Sequence, residues 1–242
     1  HIDIANPNLL KIENIPFEGE LRQGEPSEKS GHFSFLWLTR AAKIVLEGKG
    51  RALVTGPIAK SFWHKSGHYY SGQTERLAEI GGVKTASMLF TAKSPNNNWR
   101  FNTLLATTHI PFKEITNQLN REIILSKLDI LLEFCKQFNK SPRLIISGLN
   151  PHAGEEGSLG SEEIDWLIPA INEWKELNPM ISLEGPLPPD SCWLSAGRAW
   201  KGASGSERRP DGFLSLYHDQ GLIPLKLIAF ESAVNTTLGL PF

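Results

Sequence analysis

Apolar residues recur along this chain at two spacings, helical stripes and short unbroken runs, and the alternation between them predicts its elements. Phe33 to Leu46 reads as a helix that runs into Gly48 and Gly50 as stop signals. Arg51-Ala52-Leu53-Val54-Thr55-Gly56-Pro57 reads as a short buried strand ending in a tight turn. Thr74 to Ile80 predicts a short helix closed by Gly81-Gly82, and Ala86–Phe90 with Phe101–Ala106 predict paired strands around the polar loop Lys93–Asn98. The longest helix is expected over Glu122 to Phe138, where Ile124, Leu128, Leu131, Cys135 and Phe138 form one stripe. Leu144–Leu149 reads as a buried strand and Ser161 to Leu177 as a helix, capped by Ser161 with Glu162 and Glu163 in its first turn. Its stripe is Ile164, Leu167, Ile168 and Ile171, and Pro169 predicts a kink. Ser191–Gly212, rich in Gly, Ser and Arg, reads as a long surface loop, and Phe213–Tyr217 and Leu225–Phe230 as closing strands. Strands alternating with helices predict an α/β fold with a largely parallel sheet flanked by helices.

Composition narrows the classes. A chain of 242 residues, 40% hydrophobic, suffices for one large domain or two small ones. A net charge of -1 gives no electrostatic case for nucleic acid or an anionic membrane. The two cysteines, Cys135 and Cys192, are too few for a disulfide framework, and Cys135 falls on a helix's apolar face. No secretory signal and no apolar run of roughly 20 residues appears, so a cytoplasmic setting is expected. The chain starts at His1 and stops at Leu240-Pro241-Phe242, just after an apolar run, and both ends are expected to be missing.

Three histidines change the picture most. His109, His152 and His218 each follow an apolar run of strand type, within Thr107-Thr108-His109-Ile110-Pro111, Asn150-Pro151-His152-Ala153-Gly154 and Tyr217-His218-Asp219-Gln220-Gly221. Ligands of open α/β sheets bind beyond the carboxyl ends of the strands. Three imidazoles delivered there suit an open divalent-metal site, with a position left for substrate or water. Imidazole favours zinc, cobalt, nickel, iron or manganese over magnesium and calcium. Ser71-Gly72-Gln73-Thr74-Glu75 places a free backbone, two polar side chains and a helix start where a phosphate or carboxylate could bind. Lys60 could meet the same kind of group, although a surface lysine serves as well. Asp190, presented by the rigid turn Gly185-Pro186-Leu187-Pro188-Pro189, could orient a hydroxyl or a ligand histidine, or simply cap the turn. Lys226 is expected on the polar face of the last strand, and Asn235 adds hydrogen-bonding capacity. There is no G-x-G-x-x-G fingerprint, no P-loop and no nucleophile elbow. The residues alone point to a metal-dependent enzyme for a small, polar, anionic substrate, with the reaction open.

Taken in order, Ala52-Leu53-Val54-Thr55-Gly56-Pro57, Gly72-Gln73-Thr74-Glu75, Thr107-Thr108-His109, Gly148 to Glu155, Gly185-Pro186-Leu187-Pro188, Tyr217 to Gly221 and Asn235 to Phe242 resemble the 4-hydroxythreonine-4-phosphate dehydrogenase family of pyridoxal phosphate (vitamin B6) biosynthesis. The resemblance implies NAD-linked (or NADP-linked) oxidation of 4-phosphooxy-L-threonine at C3, then decarboxylation to 3-amino-2-oxopropyl phosphate. It implies a two-domain α/β subunit like those of isocitrate and isopropylmalate dehydrogenases, with the active site in the interdomain cleft at a homodimer interface. His109, His152 and His218 would bind the metal, zinc first, with manganese, cobalt or magnesium acceptable. The first two would come from one subunit and His218 from its partner. Gln73, Thr74, Lys226 and Asn235 match substrate-holding positions, and Lys226 and Asp190 join the histidines as catalytic candidates; no cofactor-binding residue is assigned.

The family usually has His where this chain has Gln73, which keeps a donor and an acceptor but cannot become cationic. The family's Gly-rich N-terminal segment and the arginine beyond Leu-Pro-Phe fall outside residues 1–242, so the chain is expected to be an incomplete two-lobed subunit. Two other readings compete: a dehydrogenase of phosphorylated four-carbon sugar acids (threonate or erythronate 4-phosphate), and a non-catalytic metal- or ligand-binding homologue.

Overall fold

The computed structural model describes residues 12–20, 22, 24–83, 86–202 and 208–242. The chain divides into two compact units, one containing the described residues up to Ala86 with Leu240–Phe242, the other Ser87–Gly239.

The first unit is helical among its described residues. Helix α1 (Glu28–Leu46) starts at a capping box in which Ser27 and Ser30 satisfy each other's backbone N–H groups. Two short helices follow, α2 (Lys60–Lys65) and α3 (Gln73–Gly81), the latter closed by Gly82 in the left-handed conformation, as the Gly-Gly pair predicts. Phe35, Leu38, Ala42, Trp63 and Leu77 form the core. The strand expected over residues 51–57 is absent. Val54 is 94% exposed, and no strand among this unit's described residues offers a pairing edge, so an extended run there leaves its backbone to water.

The second unit is a three-layer α/β structure. Strands β1 (Ser87–Lys93) and β2 (Arg100–Leu105) form the expected antiparallel pair. A short helix α4 (Ile115–Gln118) leads to α5 (Arg121–Lys136), capped by Asn120, whose side chain accepts from the Ile123 N–H. Its stripe Ile124, Leu128, Leu131 and Cys135 is buried, whereas Phe138 lies beyond the helix and is half exposed. Strand β3 (Arg143–Ser147) precedes α6 (Ile168–Leu177), which begins in a wide π-turn over Glu163–Leu167 with Pro169 near its start. The wide turn rotates the stripe, so Leu167 and Ile171 are buried while Ile164 and Ile168 face outward. Strand β4 (Ser182–Leu187) contains the cis Gly185–Pro186 bond.

Two expectations fail in the last third. Residues 191–212 are not simply a loop, because α7 (Leu194–Lys201) lies within them; residues 203–207 are outside the described set. Ala196 is buried, with Trp193 and Trp200 packed beside it, on a stripe of small and aromatic residues. After β5 (Gly212–Ser215), the run over 225–230 is not a strand but part of helix α8 (His218–Ala229), followed by β6 (Ala233–Leu238). Leu222, Leu225 and Ala229 are buried at helical spacing, and Lys226, one turn after Leu222, is exposed at the margin of that face.

Sheet order is β4-β3-β5-β2-β1-β6. The first four strands run parallel, and β1 is antiparallel to both its neighbours. Alternation splits the strands between two cores. Leu104, Leu144, Ile146 and Leu214 pack with α5 and α6, and Phe101, Ile145 and Phe213 pack with α7 and α8. The indole N–H of buried Trp174 donates to Asp129 Oδ1 at 2.7 Å and ties α6 to α5.

Candidate metal and substrate site

Strands β2, β5 and β3 are adjacent and parallel, so their carboxyl ends share one edge of the sheet. His109 follows β2, His152 follows β3, and His218 opens α8 directly after β5. The sheet therefore delivers the three sequence-predicted imidazoles to that edge. Asp190 follows β4, the next parallel strand.

The rings of His109 and His218 approach with centroids 5.4 Å apart and planes inclined at 46°. Two imidazoles bound to one tetrahedral ion through nitrogens about 2.0–2.1 Å away would hold their centroids roughly 5 Å apart, so the pair fits half of such a site. His218 Nδ1 lies 2.7 Å from Asp219 Oδ1, which leaves Nε2 as the ligating nitrogen. His152 is exposed, with Glu155 3.5 Å from its Nδ1. Among the described residues, no three His, Cys, Asp or Glu side chains lie close enough to enclose an ion.

Buried polar groups brace this edge. The Gln220 side chain accepts the Leu216 N–H at 2.7 Å and donates to the Gly148 carbonyl at 2.8 Å, linking the turn before His218 to the turn before His152. The Thr107 hydroxyl donates to the Leu216 carbonyl at 2.7 Å, joining the His109 segment to the same turn. Glu163 is 1% exposed and accepts the Leu149 and Asn150 N–H groups at 2.7 and 2.8 Å. The sequence marks Glu163 as a first-turn acid; its contact with residues 13 and 14 positions upstream carries no local signal.

The remaining candidates are distributed more widely. Asp190 is exposed and, among the described residues, makes no hydrogen bond to the three histidines. Lys226 is exposed on α8 and Asn235 on β6. In the first unit, Gln73 and Thr74 open α3, and Gln73 donates to the Gly56 carbonyl at 2.7 Å. The amide is therefore turned with one donor engaged by the chain itself. Thr74, not the cap it resembles in sequence, is the second helical residue after Gly72.

Exposed apolar residues lie after β2 and along α8. Phe112, 77% exposed, meets Tyr217 edge to face at 5.6 Å. On α8 and just after it, Ile223, Leu227 and Phe230 are exposed at helical spacing, a stripe turned away from the unit's own core. Burial, and then the neighbouring Asp219, raises the Tyr217 hydroxyl above its ordinary range, so it stays protonated at neutral pH. No helix among the described residues is long and apolar enough to cross a membrane.

Comparison with known proteins supplies the family. The family model described as pyridoxal phosphate biosynthetic protein PdxA matches residues 3–242. The 4-hydroxythreonine-4-phosphate dehydrogenase of Synechococcus sp. (strain RCC307) is 52% identical over all 242 residues, which span 74% of that relative. That of Nostoc sp. (strain PCC 7120 / SAG 25.82 / UTEX 2576) is 46% identical over the whole chain, which spans 68% of it. Among solved structures, the 4-hydroxythreonine-4-phosphate dehydrogenase of Klebsiella pneumoniae superposes with a TM-score of 0.77 at 33% identity, covering 92% of this chain and 63% of that one. With the family model matching nearly the whole sequence and the histidine-bearing strands laid out as the motifs require, this chain belongs to the pyridoxal phosphate biosynthetic protein PdxA family.

Proposed function

We propose that the protein of this chain is a 4-hydroxythreonine-4-phosphate dehydrogenase, oxidising 4-phosphooxy-L-threonine at C3 with NAD or NADP and releasing carbon dioxide to leave 3-amino-2-oxopropyl phosphate. The observation that carries this reading is the delivery of three histidines by adjacent parallel strands, in a chain 52% identical to a relative of that name. His109, His152 and His218 would hold a divalent cation, zinc first. Imidazole donors suit a d-block ion, and within one copy the His109–His218 spacing is that of two ligands on one centre, a pairing that differs from the expected grouping of His109 with His152.

Held by these histidines, a cation would supply Lewis acidity toward the substrate hydroxyl, and a bound nicotinamide would supply the hydride acceptor. The chain's own residues then bind and orient. Asp219 fixes the His218 ring through Nδ1. The Thr74 hydroxyl and the first-turn N–H groups of α3 are donors for a phosphate, and Gln73 joins them through its remaining amide hydrogen. Lys226 is the cationic candidate for the substrate carboxylate, with Asn235 as a neutral partner and Asp190 as a carboxylate at the rim.

We further propose a homodimer in which two copies complete each cation site. The apolar stripe Ile223, Leu227 and Phe230 supports this, because it begins on the helix that His218 opens and lacks cover within the unit. The functional test is NADH formation, followed at about 340 nm because the chemistry is the cofactor's, with 4-phosphooxy-L-threonine and, separately, threonate and erythronate 4-phosphates. Preference for the amino-acid phosphate is expected. Turnover of the sugar-acid phosphates alone would replace the substrate assignment, and silence with all of them would leave a binding protein.

A further inference from the structure

Five consecutive residues, His152 to Glu156, stand in the left-handed region, with φ of 52°, 54°, 81°, 44° and 55°. Only Gly154 enters it freely; the other four each crowd a Cβ against a carbonyl. A run of this kind persists only where its surroundings hold it.

Glu163 is placed to do the holding. Its Oε1 accepts both the Leu149 and Asn150 N–H groups, and its Oε2 accepts the Asn150 side-chain amide at 2.8 Å. The space around it is built for a carboxylate. A Cβ on Gly154 would stand 2.9 Å from Oε2, and one on Gly148 would stand 3.3 Å from Oε1 and 2.9 Å from the Ala153 Cβ. Among the described residues no lysine or arginine pairs with Glu163. A buried carboxylate held by amides alone is a costly group to keep for packing, since a neutral side chain could fill the volume. Its three bonds all converge on the two residues before Pro151-His152.

We infer that Glu163 is a positioning residue for His152, fixing the left-handed turn that presents this imidazole at the carboxyl edge of the sheet. The inference rests on the proposed role of His152 as a cation ligand. Glu163→Gln keeps the volume and one acceptor oxygen but sets an amide N–H against the Asn150 side-chain N–H.

The test is a calorimetric zinc titration of the full chain as wild type, Glu163→Gln, His152→Ala and the double variant. Glu163→Gln is expected to weaken zinc binding about 10- to 100-fold, the usual effect of removing a residue that orients a ligand, and to add nothing in the His152→Ala background. Equal weakening in both backgrounds, or none in a folded Glu163→Gln protein, would overturn the inference. Unchanged zinc affinity in His152→Ala would instead overturn the ligand assignment, which is a separate result. If Glu163→Gln does not fold, amide exchange of the unaltered protein decides. Protected Leu149 and Asn150 N–H groups support the staple, and exchange as fast as that of exposed amides refutes it.

Discussion

Replacing Gln220 with Met tests whether the buried braces set the stability of the histidine edge. Gln220 is 7% exposed, and both ends of its amide are engaged. Met has similar volume, so little cavity or strain follows, and the change isolates two hydrogen bonds. The Leu216 N–H loses its 2.7 Å acceptor inside the fold, at about 1–3 kcal/mol. The Gly148 carbonyl keeps the Ser147 hydroxyl at 3.1 Å, so its loss is only a net bond, about 0.5–1.5 kcal/mol. Burying a thioether in place of an amide returns about 1 kcal/mol. The balance is a destabilisation of about 2 kcal/mol, read as a lower urea midpoint with an unchanged slope. Zinc affinity should fall as well, because the lost bonds join the turns before His152 and His218. A change below about 0.5 kcal/mol would mean that water satisfies the freed groups and that the brace does not hold this edge.

Three further outcomes are expected. Leu227→Asp with Phe230→Asp puts charge on the exposed apolar stripe and should convert dimer to monomer by sedimentation; an unchanged dimer would place the interface elsewhere. Co-expressed pairs of single-histidine variants test sharing: hybrids whose lesions fall in the same one of two shared sites should restore about one quarter of wild-type activity under random assortment, and failure of all three pairings would exclude sharing. Burial, then His32 at 2.9 Å and Arg76, lowers the folded pKa of His68. The unfolded state then binds more protons, so this contribution is complete above about pH 6.5 and is lost as pH falls toward the folded pKa. His68→Gln should flatten the acid limb of the melting temperature below about pH 6.5, and an unaltered limb would contradict the assignment.

Much of the architecture was legible because its signals are local. The stripe from Ile124 to Cys135 marks α5, and apolar runs followed by histidine mark the three strands whose ends carry the site. Other elements were hidden for identifiable reasons. From Leu222 to Phe230 nearly every residue is apolar, so alternation over three positions could not separate a strand from the helix that places Lys226. The stretch over 51–57 looks like a strand, but a strand also needs a neighbour, and period alone does not supply one. The staple between Glu163 and Asn150 joins residues that no helical or strand period relates. The nearest sequence trace of it is the cluster of small residues Gly148, Ala153 and Gly154, which leaves room for a carboxylate.

The most direct test of the central claim is NADH formation from 4-phosphooxy-L-threonine by the full-length protein, before chelator treatment, after it, and after zinc is restored. The account predicts turnover that disappears with the chelator, returns with zinc, and does not return in His218→Ala. Turnover that persists in chelator, or that His218→Ala leaves intact, would contradict the assignment of these histidines to a catalytic metal.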